Sequence, residues 1–332
     1  MERTSACLVS SHDAVSTERE KLISVVSGCY NEEENIRECY ERVRKVFHEI
    51  GRYRYEHIFI DNASQDRTAA ILREIAAQDK NVKVILNARN FGHVRSGYHA
   101  MLQARGDAVI SIVSDLQDPP ELIKEFVAKW ETGFRIVIGV KQESEESIIF
   151  FAVRRMYYEM VGRLAEIQLT KNATGFGLYD RRFIDILKEI DDPYPYFRGL
   201  VSEIGFPSAQ ISYLQPARKR GITSNNFYRL YDLAMLGITN HSKVPLRLAT
   251  MLGFTLSFLS FIVAVFYLIF KLLFWQQFSL GLAPLVVGLF FFGSVQLFFI
   301  GILGEYIGAI HTQVLKRPLV IELERLNFEL ES

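Results

Sequence analysis

Four short polar clusters in this sequence could do chemistry, and each directly follows a β-rich run. The first is Tyr30-Asn31-Glu32-Glu33-Glu34-Asn35. Asn31 and Glu34 have the spacing of a helix capping box, which accounts for both and leaves Glu32 to face a ligand. The second is Asp61-Asn62-Ala63-Ser64-Gln65-Asp66-Arg67-Thr68. Asp61 ends a run of Ile and Phe, where a carboxylate is costly unless it is paired or liganded. Either Ser64 or Asp66 can cap the helix that follows. The third, Arg89-Asn90-Phe91-Gly92-His93, sets a guanidinium near a small residue, which suits a phosphate or equally a surface turn. The lone His93 reads as structural. The fourth is Ser114-Asp115-Leu116-Gln117-Asp118-Pro119-Pro120-Glu121. Asp118 before Pro119, with Glu121 three residues on, has the pattern of a helix start. Asp115 and Gln117 then remain as two oxygen ligands on one side of an extended segment. Such a pair suits a hard divalent cation that shares its shell with a diphosphate and waters.

A scaffold has to aim these clusters at one place. Leu22–Ser27 reads as a buried strand, and Ile36, Tyr40, Val43, Phe47 and Ile50 recur at the steps of a helix face. Further strands are expected at His57–Ile60, Val82–Leu86, Ala108–Val113 and Arg135–Val140, separated by helices near 67–78, 93–104 and 120–131. This alternation gives an α/β domain with a mostly parallel sheet, whose ligand site lies beyond the carboxyl ends of the strands. All four clusters fall at such ends. From 141 to 243 the pattern is less regular. Ser147–Leu169 is expected to be helical and carries Arg154, Arg155 and Arg163. Asn225–Asn240 is aromatic and amphipathic, suited to lie on a membrane surface or to pack on the domain.

The chain has 332 residues, with 38 basic and 38 acidic side chains. That balance excludes a strongly basic nucleic-acid binder, and a 49% hydrophobic content excludes a disordered chain. The charges are unevenly spread. From Leu248 to Leu303 the one charged residue is Lys271, while the same window holds 12 of the 25 Phe. Leu248–Phe270 and Leu280–Leu303 each exceed the roughly 20 apolar residues that a membrane-spanning helix needs. The alternative for them is a buried core hairpin. Lys243 and Arg247 before the first span, with Lys316 and Arg317 after the second, place both ends in the cytoplasm by the positive-inside rule. Residues 1–21 hold no apolar run of the secretory kind. Cys7, Cys29 and Cys39 include no Cys-x-x-Cys pair, so a reducing compartment is expected, with neither a disulfide framework nor a structural zinc site.

As a set, these motifs resemble the family-two glycosyltransferases of the GT-A fold, of the polyprenyl-phosphate type related to dolichyl-phosphate mannose synthase. Val25-Val26-Ser27-Gly28-Cys29-Tyr30-Asn31-Glu32-Glu33 is similar to the family's first strand and loop, and Phe59 to Thr68 to its nucleotide-binding segment. Arg89-Asn90-Phe91-Gly92, Asp115 to Glu121, and Gly304-Glu305-Tyr306 within Gly301–Gly308 match in order, so the resemblance spans about 22–317. It implies an α/β GT-A domain over 22–223 after an N-terminal segment 1–21, then a juxtamembrane helix at 224–243. Two transmembrane helices (about 248–270 and 280–303) within 244–312 and a cytoplasmic tail at 313–332 complete the expected organisation. The implied reaction is inverting transfer of a sugar from a nucleotide-sugar donor, a UDP-sugar by likeness to bacterial relatives, to polyprenyl (undecaprenyl) phosphate for cell-envelope glycan modification. Tyr30, Glu32, Asp61, Arg89 and Asp115 would contact the donor. Asp115 and Gln117 would serve catalysis by holding Mg2+ or Mn2+ on its diphosphate. Arg154, Arg155, Arg218, Arg220 and Thr223 would meet the acceptor phosphate, although Arg218–Thr223 also reads as a solvated basic loop near anionic headgroups. A bacterial inner-membrane location, a homo-oligomer and no nucleic-acid partner are expected with it.

Three departures from the family pattern bear on activity. The usual Asp-Ala-Asp reads Val113-Ser114-Asp115, and a usual pair of Asp reads Asp61-Asn62. Where many relatives have Gly-Asp-Phe-Arg, with the carboxylate often proposed as general base, this chain has Thr174-Gly175-Phe176-Gly177. A phosphate acceptor tolerates that loss, because its second pKa of about 6 leaves the oxygen already anionic at neutral pH. The alternative is a catalytically weak or inactive nucleotide-sugar-binding subunit that regulates a partner transferase. A processive polysaccharide synthase would carry Gln-x-x-Arg-Trp, whereas Trp130 and Trp275 follow Lys129 and Phe274.

Overall fold

The computed structural model describes residues 20–142, 173–215, 244–274 and 282–328, together with Met235 and Thr239. The chain enters at β1 (Leu22–Cys29) and alternates through α1 (Ile36–Ile50), β2 (Arg54–Asp61), α2 (Thr68–Gln78), β3 (Val82–Asn87), α3 (His93–Gln103) and β4 (Ala108–Val113). A 3-10 turn (Pro120–Leu122) opens α4 (Ile123–Glu131). Then come β5 (Ile136–Lys141), β6 (Ala173–Asp180), α5 (Arg181–Ile190), α6 (Phe197–Ile204) and β7 (Ser208–Tyr213). Two long helices, α7 (Val244–Leu273) and α8 (Leu282–Val314), precede the last strand, β8 (Glu322–Leu326).

The eight strands form one sheet in the order β7-β5-β6-β4-β1-β2-β3-β8. Strands β4, β1, β2 and β3 are mutually parallel, as are β5 and β7, while β6 and β8 run antiparallel to their neighbours. Helices cover both faces, which is why the central strands read as nearly continuous apolar runs. On one face Ile23, Val25 and Ile110 meet Val43, Phe47 and Phe126; on the other Val26, Ile58 and Ile60 meet Tyr98, Met101 and Phe183. Alternate residues of β1 thus serve opposite cores, as the two-residue strand period requires. The mostly parallel α/β architecture is the one expected from the sequence.

The segment expected as a tail takes part in this sheet. β8 closes the edge of β3, and the Ala88 N–H donates to the Ile321 carbonyl just before it (2.9 Å). Arg73 pairs with Glu324 at 2.7 Å, and His99 with Glu322 at 2.5 Å. The Asn327 amide donates to the carbonyls of Ala76 (2.6 Å) and Val82 (2.8 Å). The alternation Ile321-Glu322-Leu323-Glu324 carries the strand signal, but position after a membrane-type helix disguised it.

Helices α7 and α8 are each long and apolar enough to cross a membrane. None of the most apolar stretch of either is buried, which rules out a buried core hairpin. Both helices extend beyond the expected spans, and the apolar part of the second runs from Gly288 to Val314. The expected helices at 147–169 and 224–243 lie outside the described residues, Met235 and Thr239 excepted.

Candidate active site

The loops that leave β1, β2 and β4 at their carboxyl ends each contain one non-glycine residue in the left-handed region. These are Asn31, Ala63 and Leu116, with φ of 55°, 61° and 61°. A side chain there costs about 1–2 kcal/mol, so the surrounding bonds must hold it. They do. The Asn31 N–H donates to Ser64 Oγ (2.9 Å), and the Gln65 N–H donates back to Asn31 Oδ1 (2.8 Å). The Glu33 N–H donates to Asp66 (3.1 Å), and the Arg67 N–H to Glu33 (3.0 Å). Two loops thirty-odd residues apart are thereby stitched into one wall.

This stitching overturns the capping reading of the first cluster. Asn31 is engaged by Gln65, helix α1 starts at Ile36, and Asn35 at its cap position makes no side-chain cap bond. The Asn35 amide instead donates to Glu32 Oε2 at 2.6 Å, which aims that carboxylate. The cap reading of Asp118 is overturned as well. Pro119 occupies the cap position of the 3-10 turn, and buried Asp118 accepts from the Tyr213 hydroxyl at 2.7 Å. Burial pushes the Asp118 carboxyl up to about 6, with the Tyr213 bond pulling the other way and the charge of Asp115 adding to the rise.

Asp61 is 2% exposed at the end of β2 and accepts from both the N–H and the hydroxyl of Ser64. Burial raises its pKa, and the Ser64 bonds oppose that rise. Asn62 accepts at Oδ1 from the Phe91 N–H (2.9 Å), Ser96 Oγ (2.9 Å) and Asn87 Nδ2 (3.2 Å), and donates to Asn90 Oδ1 (2.9 Å). It therefore fixes the third cluster to the second. Sequence reasoning treated Asn62 only as a departure, because none of these partners is local.

Above the strand ends lies a cavity of about 640 Å³. Its walls include Tyr30 and Glu32 from the first cluster, Asp115 and Asp118 from the fourth, and Gly175 and Arg198 from across the sheet. Of the residues expected at a donor site, the fold thus gathers Tyr30, Glu32 and Asp115. Asp61, Arg89 and Gln117 do not line this cavity. Arg89 lies over the Phe91 ring, 4.0 Å from its centroid, and the Gln117 N–H donates to Asp115 Oδ1 at 3.1 Å. Arg154, Arg155, Arg218, Arg220 and Thr223 lie outside the described residues.

The departures now have physical settings. Val113, 44% exposed, stands in the cavity wall where a carboxylate would meet solvent. Gly175 has φ +94°, a conformation that side chains rarely adopt, although space around it is open. A Cβ on Gly177 would stand 2.4 Å from the Val137 carbonyl, so the backbone there admits only glycine. Among the described residues no three His, Cys, Asp or Glu side chains gather into a metal cage. Asp115 in the wall still fits a Mg2+-like ion, which keeps waters and substrate phosphates and needs only one or two carboxylates from the protein.

A mostly parallel α/β sheet with a carboxylate-lined cavity beyond the carboxyl ends of its strands is the arrangement in which such sheets bind ligands. Residues 24–187 match glycosyl transferase family 2. The chain is 35% identical over 299 residues to the uncharacterized glycosyltransferase YkcC of Bacillus subtilis (strain 168), covering 90% of this chain and 92% of that one. It is 33% identical over 300 residues to the SfII prophage-derived bactoprenol glucosyl transferase of Shigella flexneri, covering 90% and 96%. Among solved structures, a mannosyltransferase from Pyrobaculum calidifontis in complex with GDP-Man and Mn2+ overlaps at a TM-score of 0.45 and 14% identity, over 67% of this chain and 63% of that one, a likeness of outline only. The chain belongs to glycosyl transferase family 2.

Proposed function

We propose that this glycosyltransferase moves one sugar from a nucleoside diphosphate sugar to a polyprenyl phosphate, with inversion at the anomeric carbon. The observation that carries the reading is 33% identity across 96% of a bactoprenol glucosyl transferase. That match covers 90% of this chain, too much to leave out both apolar helices. A lipid-borne acceptor accounts for a cavity-bearing domain joined to two such helices. Because β8 follows α8 directly and belongs to the catalytic sheet, the Lys316 and Arg317 end of α8 lies on the cavity's side of the membrane, taken as the cytoplasmic one.

In this reading Tyr30 and Glu32 receive the nucleotide, while Asp61 holds the loop that shapes their wall and Arg89 stands outside it. Asp115 would hold Mg2+ or Mn2+, while Gln117, two residues on and outside the cavity wall, steadies that carboxylate through its N–H. That ion would stabilise the charge developing on the departing diphosphate. The acceptor phosphate oxygen attacks the anomeric carbon, the bond from that carbon to the diphosphate oxygen breaks, and its electron pair leaves with the nucleoside diphosphate. No proton needs removing from a phosphate nucleophile at neutral pH, which is consistent with glycine at 175. UDP is the favoured carrier.

The test is radiolabel transfer from a panel of UDP- and GDP-sugars to undecaprenyl phosphate, using full-length protein in detergent with Mn2+, Mg2+ or EDTA. The expected result is label in the lipid fraction, lost with EDTA and reduced roughly 100-fold or more in Asp115→Ala. No transfer from any donor, with nucleotide-sugar binding intact, would overturn the reading in favour of a non-catalytic binding subunit, to which Val113 and Gly175 also point.

A further inference from the structure

We propose that Arg198 grips a phosphate oxygen inside the cavity, and that this phosphate is the acceptor's; the inference rests on the transfer reaction proposed above. Arg198 lies in the first turn of α6, half-buried in the cavity wall. Among the described residues it has no hydrogen-bond or ion-pair partner. A half-buried guanidinium without an anion forfeits hydration, and it regains that cost when a phosphate takes two of its parallel N–H donors.

Placement selects the phosphate. Tyr30 and Glu32 stand on the β1 side of the cavity, and Asp115 follows β4 at its middle. Arg198 comes from the opposite side. Its neighbour Phe197 packs edge-on to Tyr179 of β6 at 5.1 Å and to Tyr98 of α3 at 6.5 Å. The segment leading into α6 is tied to the end of the second apolar helix, where the Gln313 amide donates to Asp192 Oδ1 at 2.9 Å. Arg198 therefore stands between the helix that would lie in lipid and the cavity that would hold the sugar. A polyprenyl phosphate reaching in from the membrane meets this guanidinium before it meets Asp115. The donor diphosphate, approaching along the β1 and β4 loops, lies on the far side.

The experiment uses full-length wild type, Arg198→Ala and Arg198→Lys in detergent, with farnesyl phosphate as a short acceptor and the best donor from the panel. Each substrate is varied with the other saturating, and nucleoside diphosphate binding is measured separately. In Arg198→Ala the acceptor KM should rise roughly 10-fold or more, the donor KM should stay within about twofold, and Lys should recover part of the loss. Nucleoside diphosphate affinity should be unchanged, which a collapsed fold would not allow. A rise in donor KM with weakened diphosphate binding overturns the acceptor assignment and gives the guanidinium to the donor. Unchanged constants for both substrates, in a wild type that transfers sugar, overturn the inference alone. A wild type that transfers nothing overturns the inference together with the reaction it rests on.

Discussion

The Tyr213 hydroxyl on β7 donates a 2.7 Å hydrogen bond to Asp118, a residue 95 positions earlier. Both groups are buried, and the bond links the outermost strand to the loop that presents Asp115 at the centre of the sheet. Tyr213→Phe keeps the ring, which packs edge-on to Phe176, and removes only the donor. The expected cost is about 1–3 kcal/mol, read as a lower thermal midpoint together with slower transfer as the Asp115 loop loosens. Asp118→Asn retains an acceptor for the hydroxyl without a buried charge, so it should lose less. An unchanged midpoint in Tyr213→Phe would show that the bond holds nothing in place.

His57 supplies a pH dependence with a definite sign. It is fully buried on β2, with Nε2 2.9 Å from Ser27 Oγ and its ring 3.9 Å from that of Phe59. Burial lowers its pKa from 6.5 to about 3. Between those values the unfolded chain takes up a proton that the folded chain refuses. The stability that depends on neutral His57 is therefore complete above about 6.5 and is lost as pH falls toward 3, by up to about 1.4 kcal/mol per pH unit. His57→Gln should flatten this acid limb in denaturant melts taken across the range. An acid limb that superimposes on wild type would refute the assignment.

How much of this was legible depends on the range of each interaction. Strands β1 to β5 and helices α1 to α4 follow the sequence periodicity to within a few residues, because an apolar stripe such as Ile36, Tyr40, Val43 and Phe47 is a local pattern. The four clusters were legible too, since polar residues after apolar strands mark the carboxyl edge of such a sheet. The roles within them were not. Cap spacing is a local regularity, and it lost to Gln65 at Asn31 and to Tyr213 at Asp118, partners 34 and 95 positions away. Arg198 carries no spacing signal at all in Tyr196-Phe197-Arg198-Gly199, and only the fold brings it to the cavity.

Strand β8 makes the C-terminal segment structural, which truncation can test. Deleting residues 319–332 should bare the N–H and C=O groups of the β3 edge and break the Arg73–Glu324 and His99–Glu322 pairs. An uncovered edge pairs with other chains, so light scattering in detergent should report aggregation and the thermal midpoint should fall. Asn327→Ala isolates one part of the clamp, leaving the carbonyls of Ala76 and Val82 without its amide, at a cost of about 1–2 kcal/mol. A monodisperse truncated protein with the wild-type midpoint would make the strand dispensable.

Two of the three missing carboxylates, those at 113 and 175, should behave oppositely when restored. Val113 is 44% exposed in the cavity wall, so Val113→Asp meets solvent and should change stability by no more than about 0.5 kcal/mol. It sets a further carboxylate beside the Asp115 loop, and the divalent concentration for half-maximal transfer should fall several-fold, because a hard cation gains a charged oxygen ligand. Gly175→Asp faces different physics. At φ +94° a side chain strains the backbone by about 1–3 kcal/mol, even though the space around it is open. In the proposed reaction a base there would have nothing to do, since a phosphate nucleophile is already anionic at neutral pH. The variant should therefore melt earlier with no gain in kcat. If Gly175→Asp instead accelerated transfer, and did so with a pH profile rising through the carboxylate range, the nucleophile would have to carry a proton, and a hydroxyl acceptor would replace the phosphate.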